Sequence, residues 1–209
     1  MKKVTILNHP LIEHKLSILR DKNTPTGAFR KIIREISIIL CYEAMRDIKL
    51  EKVEIETPIK KMKTHHLNED NYVFVPILRA GLGMVDGAVS VIQGARVGHI
   101  GMYRDEKTFK PVNYFFKVPD KIEEKTVFIL DPMLATGGSA SDAIELLKSR
   151  GVKKIKFLCI IAAPEGIEKV SKKYPEVEIY CACCDEKLNK NKYIVPGLGD
   201  AGDRIYGTK

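Results

Sequence analysis

Along the chain the spacing of apolar positions is helical at first and then alternates between strand and helix. Residues 11–20 and 27–46 set hydrophobic side chains three and four apart, with Ile32, Ile33, Ile36, Ile39 and Leu40 on one stripe. Two amphipathic helices are therefore predicted, with Thr26 as N-cap of the second. A short extended piece at 53–57 is stopped by Pro58. Beyond it, near-continuous apolar runs of strand length at 72–78, 95–102, 126–130, 155–162 and 177–183 alternate with helix-like stretches at 84–92, 139–150 and 164–173. Gly151 ends the 139–150 helix and Pro164 starts the next. Strands that lack polar alternation are covered on both faces, so the pattern predicts an α/β fold with a central, mainly parallel sheet flanked by helices.

Composition narrows the setting. The 209 residues are 44% hydrophobic, with no repeat, low-complexity tract or Gly/Ser linker, so one domain over 1–209 is expected. The longest apolar runs, such as 157–163, fall well short of the ~18 residues that cross a bilayer. The start, Met1-Lys2-Lys3-Val4-Thr5, meets Asn8, His9, Pro10 and Glu13 instead of an apolar signal core, so a cytoplasmic protein with no membrane partner is expected. Five cysteines, an odd number in apolar surroundings, read as reduced thiols. Cys181-x-Cys183-Cys184 raises zinc but lacks the two paired ligand sets of a tetrahedral site, so buried strand cysteines are the better reading. A net charge of +8 suits nucleic acid and polyanionic phosphate substrates alike. The lysines are scattered and not interleaved with aromatics, so they read as solvated surface and no nucleic-acid partner is expected.

Ligands of a parallel sheet sit at the carboxyl ends of its strands, which directs attention to the loops after Leu78, Met102 and Leu130. The last of these runs Asp131-Pro132-Met133-Leu134-Ala135-Thr136-Gly137-Gly138-Ser139 into a helix. Glycines let backbone N–H groups converge, Thr136 and Ser139 add hydroxyls, and the helix N-terminus adds a dipole, which together make a monophosphate cradle. A generic strand-to-helix turn needs fewer such residues. Asp131, ahead of the cradle, suits a sugar hydroxyl, since a carboxylate accepts hydrogen bonds and is repelled by phosphate. No lysine lies in the turn, which disfavours the nucleotide-triphosphate loop and ATP hydrolysis.

Arg79 emerges at a strand end beside Gly81 and Gly83, where a planar guanidinium fits a diphosphate. Taken alone, an arginine at a surface turn reads as well. Arg104, in Gly101-Met102-Tyr103-Arg104-Asp105-Glu106-Lys107-Thr108, opens a polar stretch up to Pro119 that alone reads equally as a charged hairpin in solvent. Gly197, Gly199 and Gly202 spell Gly-x-Gly-x-x-Gly, but too few residues follow for the helix and next strand of a dinucleotide fold.

These segments together resemble type I phosphoribosyltransferases, whose loop for 5-phosphoribosyl-1-diphosphate (PRPP) has the same strand, acid and Thr-Gly-Gly-Ser turn. The wider family usually has two adjacent acids where this chain has Asp131-Pro132. That form of the loop, with segments 76–84, 101–108 and 193–204, is similar to the uracil phosphoribosyltransferase branch, and the likeness runs over essentially the whole chain. The resemblance implies the type I fold with N-terminal helices and a C-terminal base-binding hood. It implies transfer of the phosphoribosyl group of PRPP to N1 of uracil, giving UMP and diphosphate. Arg79, Arg104 and Asp200 would act in catalysis. PRPP would be held by Arg79, Arg104, Asp131, Pro132, Met133, Leu134, Ala135, Thr136, Gly137, Gly138, Ser139 and Asp200, and uracil by Ile194, Gly199, Asp200 and Ala201. The segment from Arg104 would be the loop that covers the transition state. Mg²⁺ would arrive mainly with PRPP, its protein ligands unknown. A homodimer or larger homo-oligomer is implied, and a GTP effector for some members. Two other readings stay open: a transferase for another base, since only the C-terminal segment speaks for uracil, and a PRPP-sensing RNA-binding regulator on the same fold.

Overall fold

A computed structural model describes residues 3–104 and 111–208. With strands numbered in chain order, nine among the described residues form one sheet. Across it lie β1 (Val4–Ile6), β11 (Glu178–Cys184), β10 (Lys154–Ala162), β8 (Thr126–Leu130), β4 (Tyr72–Leu78), β6 (His99–Arg104) and β7 (Pro111–Lys117). β5 (Arg96–Val97) lies along β4, and β9 (Met133–Leu134) lies along β10. All neighbours are parallel except β6 and β7.

The central strands are apolar on both faces, and each face has its own core. On one, Phe74, Phe128, Leu130 and Leu158 pack against Leu16 and Leu19 of α1 (Pro10–Arg20), Phe29, Ile33 and Ile36 of α2 (Thr26–Ala44) and Met84 of α3 (Leu82–Val91). On the other, Val75, Val127, Ile129 and Phe157 meet Ile144 and Leu147 of α4 (Gly138–Ser149) and Val170 of α5 (Pro164–Lys173). Burying each such side chain stabilises by about 1.5–3 kcal/mol, which is why these strands are almost wholly apolar, with Lys156 of β10 the buried exception. The chain is thus the α/β layer structure that its pattern predicts.

The differences from expectation are local. Thr26 is the first residue of α2 and not its cap; Pro25, in extended conformation with no side-chain bond, holds that position. The run at 95–102 is two strands, broken at Gly98, whose N–H donates to Phe74 O at 2.9 Å. β2 (Glu51–Glu56) is one arm of a hairpin whose other arm, β3 (Lys61–His66), carries only Met62 as an apolar residue and so gives no periodic signal. The edge strand β1 is too short to read from sequence. Near the C-terminus β12 (Lys187–Leu188) and β13 (Ile194–Val195) pair, and a short helix, α6 (Ala201–Tyr206), follows. No helix among the described residues is long and apolar enough to cross a membrane.

Candidate active site

The carboxyl ends of β4 and β8, the N-terminus of α4 and the chain from β13 to α6 come together at one edge of the sheet. The first part is built by the passage from β8 to α4. Asp131 N–H donates to Leu158 O at 3.2 Å, extending the ladder by one residue. Pro132 then interrupts it, its carbonyl accepting from both Ile160 and Ile161 at 3.0 Å, before β9 rejoins β10. Gly137 turns the chain at φ +71°, a conformation L side chains rarely adopt, and a Cβ there would lie 3.0 Å from Gly166 O. The first helical bond of α4 is Ser141 N–H to Gly137 O at 3.0 Å. The N–H groups of Ser139 and Ala140 therefore point out of the helix with no acceptor among the described residues. Together with the helix dipole they form a seat for an anion, which Thr136, Gly137 and Gly138 surround.

The half-buried Asp131 stands beside this seat, its Oδ1 accepting from Met133 N–H at 3.4 Å. Burial pushes its pKa up to about 7, against the opposing effect of that hydrogen bond. Its carboxyl can thus pass between neutral and charged forms near neutrality, a group suited to hydroxyl partners.

The turn after β4 is stitched to the same place. Gly81 is there because nothing larger fits: a Cβ would lie 2.3 Å from Leu130 O, the carbonyl just before Asp131, and 2.7 Å from the main chain of Ile77. The peptide bond between Leu78 and Arg79 is cis. The exposed Arg79 guanidinium lies 3.6 Å from Asp203, and Tyr206 donates its hydroxyl to Arg79 O at 3.0 Å. α6 is therefore seated on the Arg79 turn.

The C-terminal segment bends through Gly197 (φ +65°) and Gly199 (φ +81°) after a buried Ile194. Asp200 caps α6, its Oδ1 accepting from Asp203 N–H at 2.9 Å, so the residue expected to act in catalysis also has a local structural task. Ala201 and Gly202 are buried in the first turn. A cavity of about 510 Å³ opens beside Gly199, Asp200 and Asp203, with Lys22, Asn23 and Thr26 on its other wall. A larger one, of about 770 Å³, lies at the amino ends of the strands beside Tyr72, Thr126 and Lys154. There Lys156 is already paired with Asp47 and Glu178, so the greater volume is not where the chemistry gathers.

Of the expected site residues, the structure brings Arg79, residues 131–139 and the 194–201 segment to one edge. The backbone of Arg104 ends β6, three residues beyond Gly101, the partner of Leu78. Its side chain and residues 105–110, expected to form a covering loop, lie outside the described residues. Four contributors were not among the expected site residues: Asp203 and Arg204, which lie in the 193–204 segment, and Arg20 and Asp185, which no local pattern marks. Arg204 donates to Leu19 O (2.7 Å), Leu198 O (2.9 Å) and Asp21 O (2.5 Å), tying the C-terminal segment to the end of α1. Its place in the 193–204 segment is the signal that could have found it. Cys159 and Cys181 are buried register partners in β10 and β11, and burial raises the thiol of Cys159.

Comparison with known proteins accords with this arrangement. A family model described as uracil phosphoribosyltransferase matches residues 6–208. A uracil phosphoribosyltransferase of Clostridium perfringens is 58% identical over 209 residues, 100% of each chain. The solved AQ2163 protein of Aquifex aeolicus is 44% identical and superposes with a TM-score of 0.92 over 99% of each chain. An adenine phosphoribosyl transferase of Trypanosoma brucei, 11% identical, shares the fold alone, with a TM-score of 0.62 over 96% of this chain and 89% of its own. Because likeness in sequence and structure spans every element that builds the site, the chain belongs to the uracil phosphoribosyltransferase family.

Proposed function

We propose that residues 1–209 act as one phosphoribosyltransferase domain that transfers the phosphoribosyl group of PRPP to N1 of uracil, giving UMP and diphosphate. The observation that carries this reading is the close approach of Gly81 to Leu130 O, which fixes the Arg79 turn beside Asp131 and the anion seat. A 5′-phosphate, ribose hydroxyls and a diphosphate then each have a matching group at one place.

Substitution at C1′ builds charge on the departing diphosphate and needs little covalent help, so the protein's share is positioning and charge neutralisation. The seat from Met133 to Ser139 holds the 5′-phosphate, with Pro132 shaping its approach, and Asp131 holds the ribose hydroxyls. Arg79 supplies a cation for the diphosphate, and the family resemblance adds Arg104. Main-chain groups near Ile194 and from Gly199 to Ala201 read the edge of the base, where uracil offers an N3–H between two carbonyls. Cytosine mismatches that pattern and leaves groups unpaired, at about 1–3 kcal/mol each.

Among the described residues no group of three or more His, Cys, Asp or Glu could hold a metal by itself. Magnesium is commonly held by one or two carboxylates together with substrate phosphates, so the residues fit an ion delivered with PRPP, with Asp200 the residue that would hold it. When bound, the ion offsets negative charge on the diphosphate.

The reading includes a cytoplasmic location and self-association. Five free cysteines fit a reducing compartment. The β2–β3 hairpin is exposed to its tip, with Ile59 92% accessible, and an isolated two-stranded hairpin is marginal in water, which fits packing against a second copy.

The test is to incubate the protein with Mg²⁺ and PRPP and one of uracil, cytosine, hypoxanthine or orotate. UMP and diphosphate should appear with uracil alone. Turnover with a different base would reassign the acceptor, and absence of turnover with all four would sink the reading.

A further inference from the structure

The base-reading segment is gripped from behind by a partly buried ion pair that the reaction does not otherwise use. Asp185 stands just past β11 with 3% of its side chain exposed, its N–H donating to Ala162 O at 2.8 Å. Arg20, the last residue of α1, reaches it as a fork: Nη1 to Oδ2 at 2.8 Å and Nη2 to Oδ1 at 2.6 Å. The same two side chains take both main-chain polar groups of Gly197. Its N–H donates to Asp185 Oδ2 at 2.8 Å, and its carbonyl accepts from Arg20 Nη1 at 2.8 Å. Cys183 completes the set, its thiol donating to Asp185 Oδ1 at 3.3 Å and accepting from Arg20 Nη2 at 3.4 Å.

Gly197 is the point where the chain folds back, since a Cβ there would lie 2.2 Å from Ile194 O. Holding it therefore holds the spacing between Ile194 and the Gly199–Ala201 backbone. Burial alone would raise the Asp185 carboxyl, but the hydrogen bonds from Arg20 and from Gly197 N–H outweigh it and keep the group below its ordinary range. Ion pairs taken out of water on one side add little net stability, so a pair with this many directed bonds is better explained by the conformation it fixes. Among the described residues, neither side chain has a hydrogen bond or ion pair to Arg79 or to residues 131–139.

We propose that Arg20 and Asp185 are positioning residues for base recognition, which fix Gly197 so that the 194–201 backbone keeps the shape that reads the base. This rests on the reading of that segment given above.

The experiment is steady-state kinetics on Arg20→Lys, which keeps the charge but loses the fork, and Asp185→Asn, which keeps the size but loses the charge. KM for uracil should rise about tenfold, the scale of one lost charge-assisted hydrogen bond. KM for PRPP should stay within about twofold, because the PRPP groups are untouched. Lys156→Met, at the opposite edge of the sheet, controls for lost stability and should show no split between the two KM values. If Arg20→Lys does not fold, Asp185→Asn decides. Parallel rises in both KM values, no change in either, or failure of both variants to fold would overturn the proposal. Wild-type protein that makes no UMP would instead overturn the reading of the site, and this inference with it.

Discussion

Oδ1 of Asp203 lies 3.6 Å from Nη2 of Arg79, joining the cation of the β4 turn to the C-terminal helix. The arginine is 59% exposed and the aspartate 15%, so the pair borders on solvent, where such contacts are worth about 0–1 kcal/mol. Asp203 Oδ1 also accepts from the Thr208 hydroxyl at 2.6 Å, which keeps the carboxylate in place. The contact therefore aims the guanidinium more than it stabilises the fold.

Asp203→Asn is expected to shift the melting temperature by no more than about 4 °C and to raise KM for PRPP about threefold to tenfold. Arg79→Ala removes the cation itself and should lower kcat by about 10²-fold or more. Binding of UMP, which has no diphosphate, should survive in Arg79→Ala. Equal losses of UMP and PRPP affinity would contradict the diphosphate role.

Asp200 combines a cap with a place at the site, and two substitutions separate them. Asparagine caps a helix as well as aspartate, whereas alanine costs about 1 kcal/mol. Asp200→Asn should thus keep the wild-type melting temperature and Asp200→Ala should lower it, while both reduce kcat. A normal rate for Asp200→Asn in a steady-state assay would leave the residue only its capping task.

What sequence conveyed and what it withheld follows from the range of each signal. The Asp131–Ser139 cradle was legible because strand, glycines, hydroxyls and helix start are contiguous, and local chemistry alone specifies them. The alternation of apolar runs gave the layers because Val127, Phe128, Ile129 and Leu130 are all fully buried, without the polar interruptions of a one-sided strand. By contrast Arg20 and Asp185 are 165 positions apart, and their pairing depends on α1 ending above β11. The same holds for Arg204 with Leu19 O and for Arg79 with Asp203: each contact joins residues far apart in the chain, with no local pattern that links them. β3 was missed for the opposite reason, since its lysines and histidines pair only with β2 and are not selected by any core.

Burial raises the Asp131 carboxyl from 3.8 to about 7 in the folded chain. Between those two values the folded state binds more protons than the unfolded one, so the stability contributed by this group falls as pH rises from about 4 to about 7, and is level beyond. Ligand-free wild type should therefore lose melting temperature across that window relative to Asp131→Asn, in which the dependence is absent. Ribose hydroxyls donating to the charged carboxylate would favour ionisation, so PRPP binding near pH 7 should release protons from wild type beyond those released with Asp131→Asn. Titration calorimetry in two buffers of different ionisation enthalpy measures that difference. Equal proton release by the two proteins would show that Asp131 does not meet the sugar as a carboxylate.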